Sequence, residues 1–339
     1  MRILKYFSIF LALAAVIWYL SGYKKTYQVI NGQIFGTYYT IKIKSPKENN
    51  RLQKAIKAEF AAINSEMSVF DINSEISEIN RSPAGQWIDL SPSMQKLLKN
   101  AYQIYQSSNG SFDPTTGRLV DLWGFGTTGG IQKIPDEEDI KATLLTTGFN
   151  KIRFSNDYGR LRKQYPETTL NLSAIAKGYS VDRIAELIKA QGYEDFVIEV
   201  GGEVVASGRR NDTAKGWNIA IADPSGEEGK NLAVVTIKDY AVATSGDYNN
   251  FFYINDKKYS HTINPQTGYP VDNSLISVTV FHKSCMTADG LATAIMSMGE
   301  KKADDFIRRN KLAVIMFVKD EEGFITPIIS AEAQKLLNQ

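Results

Sequence analysis

The chain has 339 residues, 43% of them hydrophobic and 22% charged, an ordinary globular composition with enough length for one large core or two moderate ones. A net charge of +2 and a pI near 8.3 leave no electrostatic footprint for nucleic acid. One cysteine, Cys285, and two histidines exclude an intramolecular disulfide and a four-ligand Cys/His zinc site.

Residues 1–25 come first. Arg2 and Lys5 precede an apolar run from Tyr6 to Leu20, which is long for a signal-peptide core and short for a membrane span. No cysteine follows it, so lipid attachment at a processed cysteine is not expected, and Ser21-Gly22 is only a weak cleavage site. The expectation is an uncleaved signal anchor over 1–25; a cleaved signal peptide and a buried soluble helix are the alternatives. Arg2 and Lys5 on the inside put the rest of the chain outside the cytoplasm, facing the periplasm, although Lys24 and Lys25 blunt that bias. Residues 26–30 read as a linker. Residues 31–339 read as one domain, single-lobed or bilobed.

Further along, "IFGTYYTIKI" (34–43) alternates like a strand, and "NRLQKAIKAEFAAINSEM" carries apolar residues at helical spacing. A second helix runs through "SMQKLLKNAYQIYQSSNG", from Ser91-Pro92 to Gly110. A third is "SAIAKGYSVDRIAELIKAQG", with Ser173 as cap and Gly192 as stop. The later chain is rich in strands: "DFVIEV", "WNIAIA", "LAVVTIK", "AVAT", "FFYI", "YSHTI" and "LISVTVF", with "INDKK" as a hairpin turn. "TADGLATAIMSMGEKKADDFIRRN" then reads as one helix and "AVIMFV" as a strand. Helices and strands do not alternate regularly, so the predicted class is α+β, with mixed or antiparallel sheets and flanking helices.

One nine-residue device occurs twice, as "DPTTGRLVD" (113–121) and "NPQTGYPVD" (264–272). An Asp or Asn before Pro folds back onto backbone amides, and Gly relaxes the turn. The copies are either two similar strand-ending turns or a pair that aims small polar groups at one cleft. "EVGGEVVASG" (199–208) sets Gly201-Gly202 between two apolar strands and does not fit a dinucleotide fingerprint. "LWGFGTTGG" (122–130) is a loop that either plugs local packing or meets a ligand. Asp289 and Thr293 stand four residues apart on one helix face. That pair suits a hard cation such as Mg²⁺, or else merely complements a helix end. His261, just before the second repeat, is by residue type more often packed than catalytic.

Taken together, "FGTYYTI", "MSVFDINSEISEIN", "GSFDPTTG" with "LWGFG", "NLSAIAKGYSVD", "VIEVGGEVVASG", "SHTINPQTGYPV" and "SCMTADGLATAIM" resemble, in order, the motifs of the ApbE family of FAD:protein FMN transferases, over roughly residues 31 to 320. The resemblance implies an exported, membrane-tethered flavin-binding domain. It would use Mg²⁺ to split its substrate FAD and attach FMN through a phosphoester to a Thr or Ser of a target flavoprotein, releasing AMP. Asp289, Thr293 and the backbone carbonyl of Ala174 would hold the metal. FAD would meet Phe35, Phe70, Ser111-Phe112-Asp113, Asn171, Lys177 and the strand around Ile263, so the two repeated turns would flank one nucleotide. His261 or Asp289 would take the hydroxyl proton. The implied acceptors are a subunit of a sodium-pumping NADH:quinone oxidoreductase, an Rnf-type subunit, or another exported flavoprotein. The competing readings are an FAD pyrophosphatase and a non-catalytic periplasmic FAD-binding protein. Phe35 stands where the family often has Met, Asn171 and Asn264 where it often has Asp, and the usual lipoprotein cysteine is missing.

Overall fold

The computed structural model describes residues 27–45, 47–126, 133–222, 231–246 and 251–338. The expected anchor at 1–25 and positions 127–130 of the aromatic loop lie outside the described residues. Among those described, no helix is long and apolar enough to cross a membrane.

The described chain opens with strands β1 (Tyr27–Ile34) and β2 (Thr37–Lys44), then helices α1 (Asn50–Met67) and α2 (Glu75–Arg81). Strand β3 (Ile88–Asp89), helices α3 (Pro92–Ser107), α4 (Gly117–Leu122) and α5 (Glu137–Thr146), and strands β4 (Ile152–Phe154) and β5 (Arg160–Lys163) follow. Helix α6 (Ser173–Ala190) leads into β6 (Phe196–Val200), β7 (Glu203–Ser207), β8 (Trp217–Ala222), β9 (Asn231–Ile237) and β10 (Tyr240–Gly246). Strands β11 (Phe251–Ile254), β12 (Lys257–Ser260) and β13 (Leu275–His282) precede α7 (Cys285–Met298) and α8 (Glu300–Asn310). Strands β14 (Ala313–Lys319) and β15 (Ile325–Ile329) and helix α9 (Ala331–Leu337) close the fold.

An eight-stranded sheet in the order β1-β2-β6-β7-β10-β13-β14-β15 is antiparallel at every pairing. Strand alternation sorts its two faces. Val205 of β7 and Ala241 of β10 pack towards α1 and α6, while Val204, Ala206 and Val242 pack against the β8–β9 ribbon and α9. Helices α6 and α7 therefore lie on one face of the sheet and the ribbon on the other, which is the α+β architecture that the irregular pattern predicts.

Local chemistry explains the elements. In α1, Leu52, Ile56, Phe60, Ile63 and Met67 form one buried stripe, and the Asn49 side chain accepts from the Leu52 N–H to cap the helix. Ser91 caps α3, with Pro92 in the first turn. Four expectations are corrected. The linker expected at 26–30 is, from Tyr27 on, the first half of β1, paired residue by residue with β2. The predicted strand over 34–43 is a hairpin, since Phe35 and Gly36 both take positive φ (53° and 73°) in a two-residue turn. The helix expected over 287–310 breaks at Gly299, whose φ of 74° ends α7 and starts α8. Ser173 is inside α6 rather than its cap, which is Leu172; the Asn171 side-chain oxygen accepts from the Ser173 N–H at 3.0 Å in a local turn leading into the helix.

Candidate active site

A cavity of about 680 Å³ lies where the first turns of α6, the middle of α7, the Gly201-Gly202 turn, β8, the end of β10 and both repeated turns meet. Phe70, Ser111, Phe112, Asp113, Asn171, Ala174, Lys177, His261, Ile263, Asp289 and Thr293 all line it. Phe35 does not: it sits at the tip of the β1–β2 hairpin, half-buried against the core cluster that includes Met67 and Val69.

Both copies of the repeat are turns stapled by the side chain of their first residue. Asp113 Oδ1 accepts from the Thr115 N–H (2.8 Å) and hydroxyl (2.6 Å), and Oδ2 accepts from the Phe149 N–H (3.0 Å). Asn264 Oδ1 accepts from the N–H groups of Gln266 (2.9 Å) and Thr267 (3.3 Å). Burial pushes the Asp113 carboxyl above its usual range despite these donors. The second copy is also tied to residues that flank the first. Trp123 Nε1 donates to the Gly268 carbonyl (2.8 Å), and Gln266 Nε2 donates to the Asn109 carbonyl (3.0 Å). Gly268 has a φ of 75°, and a Cβ there would stand 2.7 Å from Ile140 Cγ2, so this turn has no room for a side chain. The terminal aspartates stay off the cavity: Asp272 is exposed and pairs with Lys257 at 3.3 Å. What the turns present instead is Asp113, Pro114, Thr116 and Pro265.

The floor is set by the crossing of α6 and α7. Asp182 accepts from the Cys285 and Met286 N–H groups and the Ser284 hydroxyl, so α6 caps the start of α7. A Cβ on Gly178 would lie 2.4 Å from the Cys285 carbonyl oxygen, so only glycine permits this approach. Asp289, 3% exposed, accepts from the Gly178 N–H through Oδ2 at 2.9 Å. In a regular helix that N–H points at the carbonyl four residues back, here Ala174. Asp289 is thus brought to the turn of α6 that carries the Ala174 carbonyl. One turn along α7, the Thr293 hydroxyl meets the Ser245 hydroxyl of β10 at 3.3 Å.

Beneath this lies a residue that the sequence reading missed. Glu203, 1% exposed, holds Lys177 Nζ at 2.5 Å through Oε1, while its Oε2 is buried without a hydrogen-bond partner. Burial first, and then the Asp289 charge, push Glu203 up to about 8, and burial likewise raises Asp289. Desolvation opposes the Lys177 charge, but Asp289 and Glu203 together hold its ammonium above the ordinary value. Two carboxylates around one ammonium leave the floor one negative charge in excess, so it attracts a proton or a cation. The only local signal in the sequence is an acid set among apolar residues in "VGGEVVA".

Among the described residues no three acidic, His or Cys side chains gather as a metal cluster. One carboxylate, one hydroxyl and one backbone carbonyl are nonetheless an all-oxygen donor set, which suits Mg²⁺ that keeps its other positions for water and substrate phosphate. The buried charge excess fits such an ion too. On the opposite wall, Val120, Phe125, Ile219 and Ile221 are apolar, and Phe70 stands 79% exposed. His261 lines the same cavity, with its ring 6.4 Å from that of Phe125.

Apolar walls, polar turns and one buried oxygen cluster define a class: an antiparallel α+β domain with a cavity of small-molecule size lined by both apolar and polar groups. The chain matches the ApbE family model over residues 35–316 and belongs to the ApbE family. It is 37% identical over 317 residues to the FAD:protein FMN transferase of Vibrio cholerae serotype O1, covering 92% of this chain and 94% of that one. The FAD:protein FMN transferase of Haemophilus influenzae is 33% identical, over 89% of each chain. Among solved structures, the flavin transferase ApbE from Vibrio cholerae superposes with a TM-score of 0.83 at 34% identity, covering 92% of this chain and 99% of that chain. The apo flavinyl transferase ApbE of Pseudomonas stutzeri gives 0.84 at 31% identity, covering 92% and 97%.

Proposed function

We propose that this chain transfers FMN from FAD to a target flavoprotein, joining it by a phosphoester to a Thr or Ser hydroxyl and releasing AMP. The reading is carried by one observation: in a chain of this family, both repeated turns, the start of α6 and the Asp289–Thr293 pair face a single cavity. Phe70 and the apolar wall suit the isoalloxazine ring. The first turn of α6, where the positive end of the helix dipole meets the cavity, with Lys177 one turn further in, suits the pyrophosphate. Asp289, Thr293 and the Ala174 carbonyl would hold Mg²⁺. When bound, that ion would neutralise phosphate charge and make AMP a better leaving group.

The acceptor oxygen bonds to the phosphorus of the FMN half as the bond from that phosphorus to the AMP oxygen breaks. The hydroxyl proton passes to a base, for which His261 is better placed than Asp289, because Asp289 is turned to the floor by its bond from Gly178. The attacking hydroxyl belongs to the partner, so no nucleophile of the enzyme's own is needed. We extend the proposal to location: residues 1–25 act as a signal anchor that holds the domain at the membrane on the periplasmic side, and the acceptor is an exported flavoprotein such as an NADH:quinone oxidoreductase or Rnf-type subunit.

Mass spectrometry of the purified protein with FAD, Mg²⁺ and an acceptor domain tests the chemistry. AMP should appear only as the acceptor gains the mass of FMN, and changing the acceptor Thr to Val should stop labelling. Rapid release of free FMN with the acceptor unlabelled would replace the transferase by a pyrophosphatase. FAD binding without AMP would make the protein a carrier.

A further inference from the structure

We propose that Glu203 is a positioning residue for the cation site: by taking the Lys177 ammonium, it keeps that ammonium from closing on Asp289. The inference rests on the reading of Asp289 as a metal ligand.

The geometry begins at the Gly201-Gly202 turn. Gly201, at a φ of 57°, lies so close to Lys177 that a Cβ there would stand 3.4 Å from Lys177 Cδ and 2.8 Å from Thr37 Cγ2. The turn thus wraps the lysine stem and delivers the next side chain but one, Glu203, to its head group at 2.5 Å. Glu203 shares its face of β7 with Val205, the face that α6 and α7 cover, so the carboxylate points into the helix layer and away from water.

A buried ion pair that leaves Oε2 unpartnered is a poor structural device, because an apolar pair of similar size in place of Glu203 and Lys177 would leave no unsatisfied oxygen. Its location gives it another use. Lys177 lies in the field of both Glu203 and Asp289, yet its ion pair is made with Glu203. Asp289 is already fixed through Oδ2 by the Gly178 N–H and lines the cavity. With Glu203 gone, Asp289 is the buried carboxylate that remains to attract the ammonium, and an ammonium there occupies the place of the metal. Glu203 therefore sets which of two carboxylates the lysine neutralises.

Mn²⁺ alone, added to the full chain without FAD, is the probe, and its affinity is read by electron paramagnetic resonance or calorimetry. Glu203→Gln should weaken Mn²⁺ binding by tenfold or more, while Lys177→Met should leave it equal or tighter because the competing cation is removed. In the Lys177→Met background, Glu203→Gln should then change the affinity by less than threefold. An equal loss from Glu203→Gln in both backgrounds would overturn the proposal, since Glu203 would then act by its own charge or as a ligand. No loss from Glu203→Gln in the otherwise unchanged chain, or weaker binding by Lys177→Met, would overturn it as well. If Glu203→Gln does not fold, the Lys177→Met result still decides. Asp289→Asn separates the two readings: undiminished Mn²⁺ binding in that variant would remove the metal assignment itself, whatever Glu203 does.

Discussion

The two ends of the cavity are built on opposite principles. At the floor, Asp289 is held by a helix crossing that admits no side chain at Gly178 and by the Gly178 N–H, while Lys177 and Glu203 hold each other at 2.5 Å. At the mouth, Phe70 is mostly exposed and His261 half-exposed, on loops rather than inside regular elements. The contrast follows from what each end has to do. Displacing phosphate requires charges fixed before the substrate arrives, and fixed charges are worth most where water is excluded. Admitting both a flavin and a protein hydroxyl requires surface that is open and broad. The floor therefore accepts the cost of buried charge, and the mouth accepts the cost of exposed aromatic surface.

Substitutions at the two ends should separate along that line. Gly178→Val should have the largest effect, since its side chain meets the Cys285 carbonyl and must push α7 off α6. Overpacking of this kind costs about 1–3 kcal/mol. Calorimetry should show a lower Tm, and FMN transfer should be undetectable because Asp289 moves with the helix. Asp289→Asn should cut kcat by about a hundredfold or more, as loss of several kcal/mol of charge stabilisation implies. Its fold should survive, as read by circular dichroism, because the Asn carbonyl can still accept from Gly178.

Phe70→Ala is the counterpart at the mouth. Loss of one stacking ring should raise KM for FAD by about tenfold, in line with about 1–3 kcal/mol per stacked base, and leave Tm unchanged. A fall in kcat with KM constant would place Phe70 in the chemistry and erase the distinction between floor and mouth.

The smallest effect is on pH dependence. With Glu203 raised to about 8 in the fold, against about 4.3 in an unfolded chain, the folded protein binds more protons between those values. Without metal, its stability should be greatest at the acid end of that window and decline as pH rises towards 8. Tm measured from pH 5 to 8.5 should show that decline, and both Glu203→Gln and saturating Mg²⁺ should flatten it.

What was legible in the sequence was what local spacing encodes. The stripe of α1, the Ser91-Pro92 start of α3 and the four-residue step from Asp289 to Thr293 each depend on neighbours within a turn or two. The hairpin at Phe35-Gly36 was hidden because a bulky residue at positive φ gives no turn signal, and the alternation of apolar residues continues through it. Gly299 was read as one more helical residue, since Met298 and Glu300 on either side are good helix formers. Glu203 escaped because its meaning lies in Lys177, which is far upstream on another element, and only the close pass at Gly201 brings the two together. Phe35 marks the converse: the family motif singles it out, and its ring packs on the core instead of lining the cavity.

The clasp between the repeated turns carries a consequence for heredity. Trp123 and Gln266 both donate to carbonyl oxygens of the main chain, at Gly268 and Asn109. On the acceptor side such a joint reads where the opposite backbone runs, although Gly268 must stay glycine because its turn has no room for a Cβ, and the donors Trp123 and Gln266 are themselves fixed. One copy can therefore hold Thr-Gly-Arg and the other Thr-Gly-Tyr without either loosening the other. Two similar turns tied in this way can differ at positions outside the joint while remaining together in space, and that freedom would let one turn follow a changing ligand or partner as the other stays as it was.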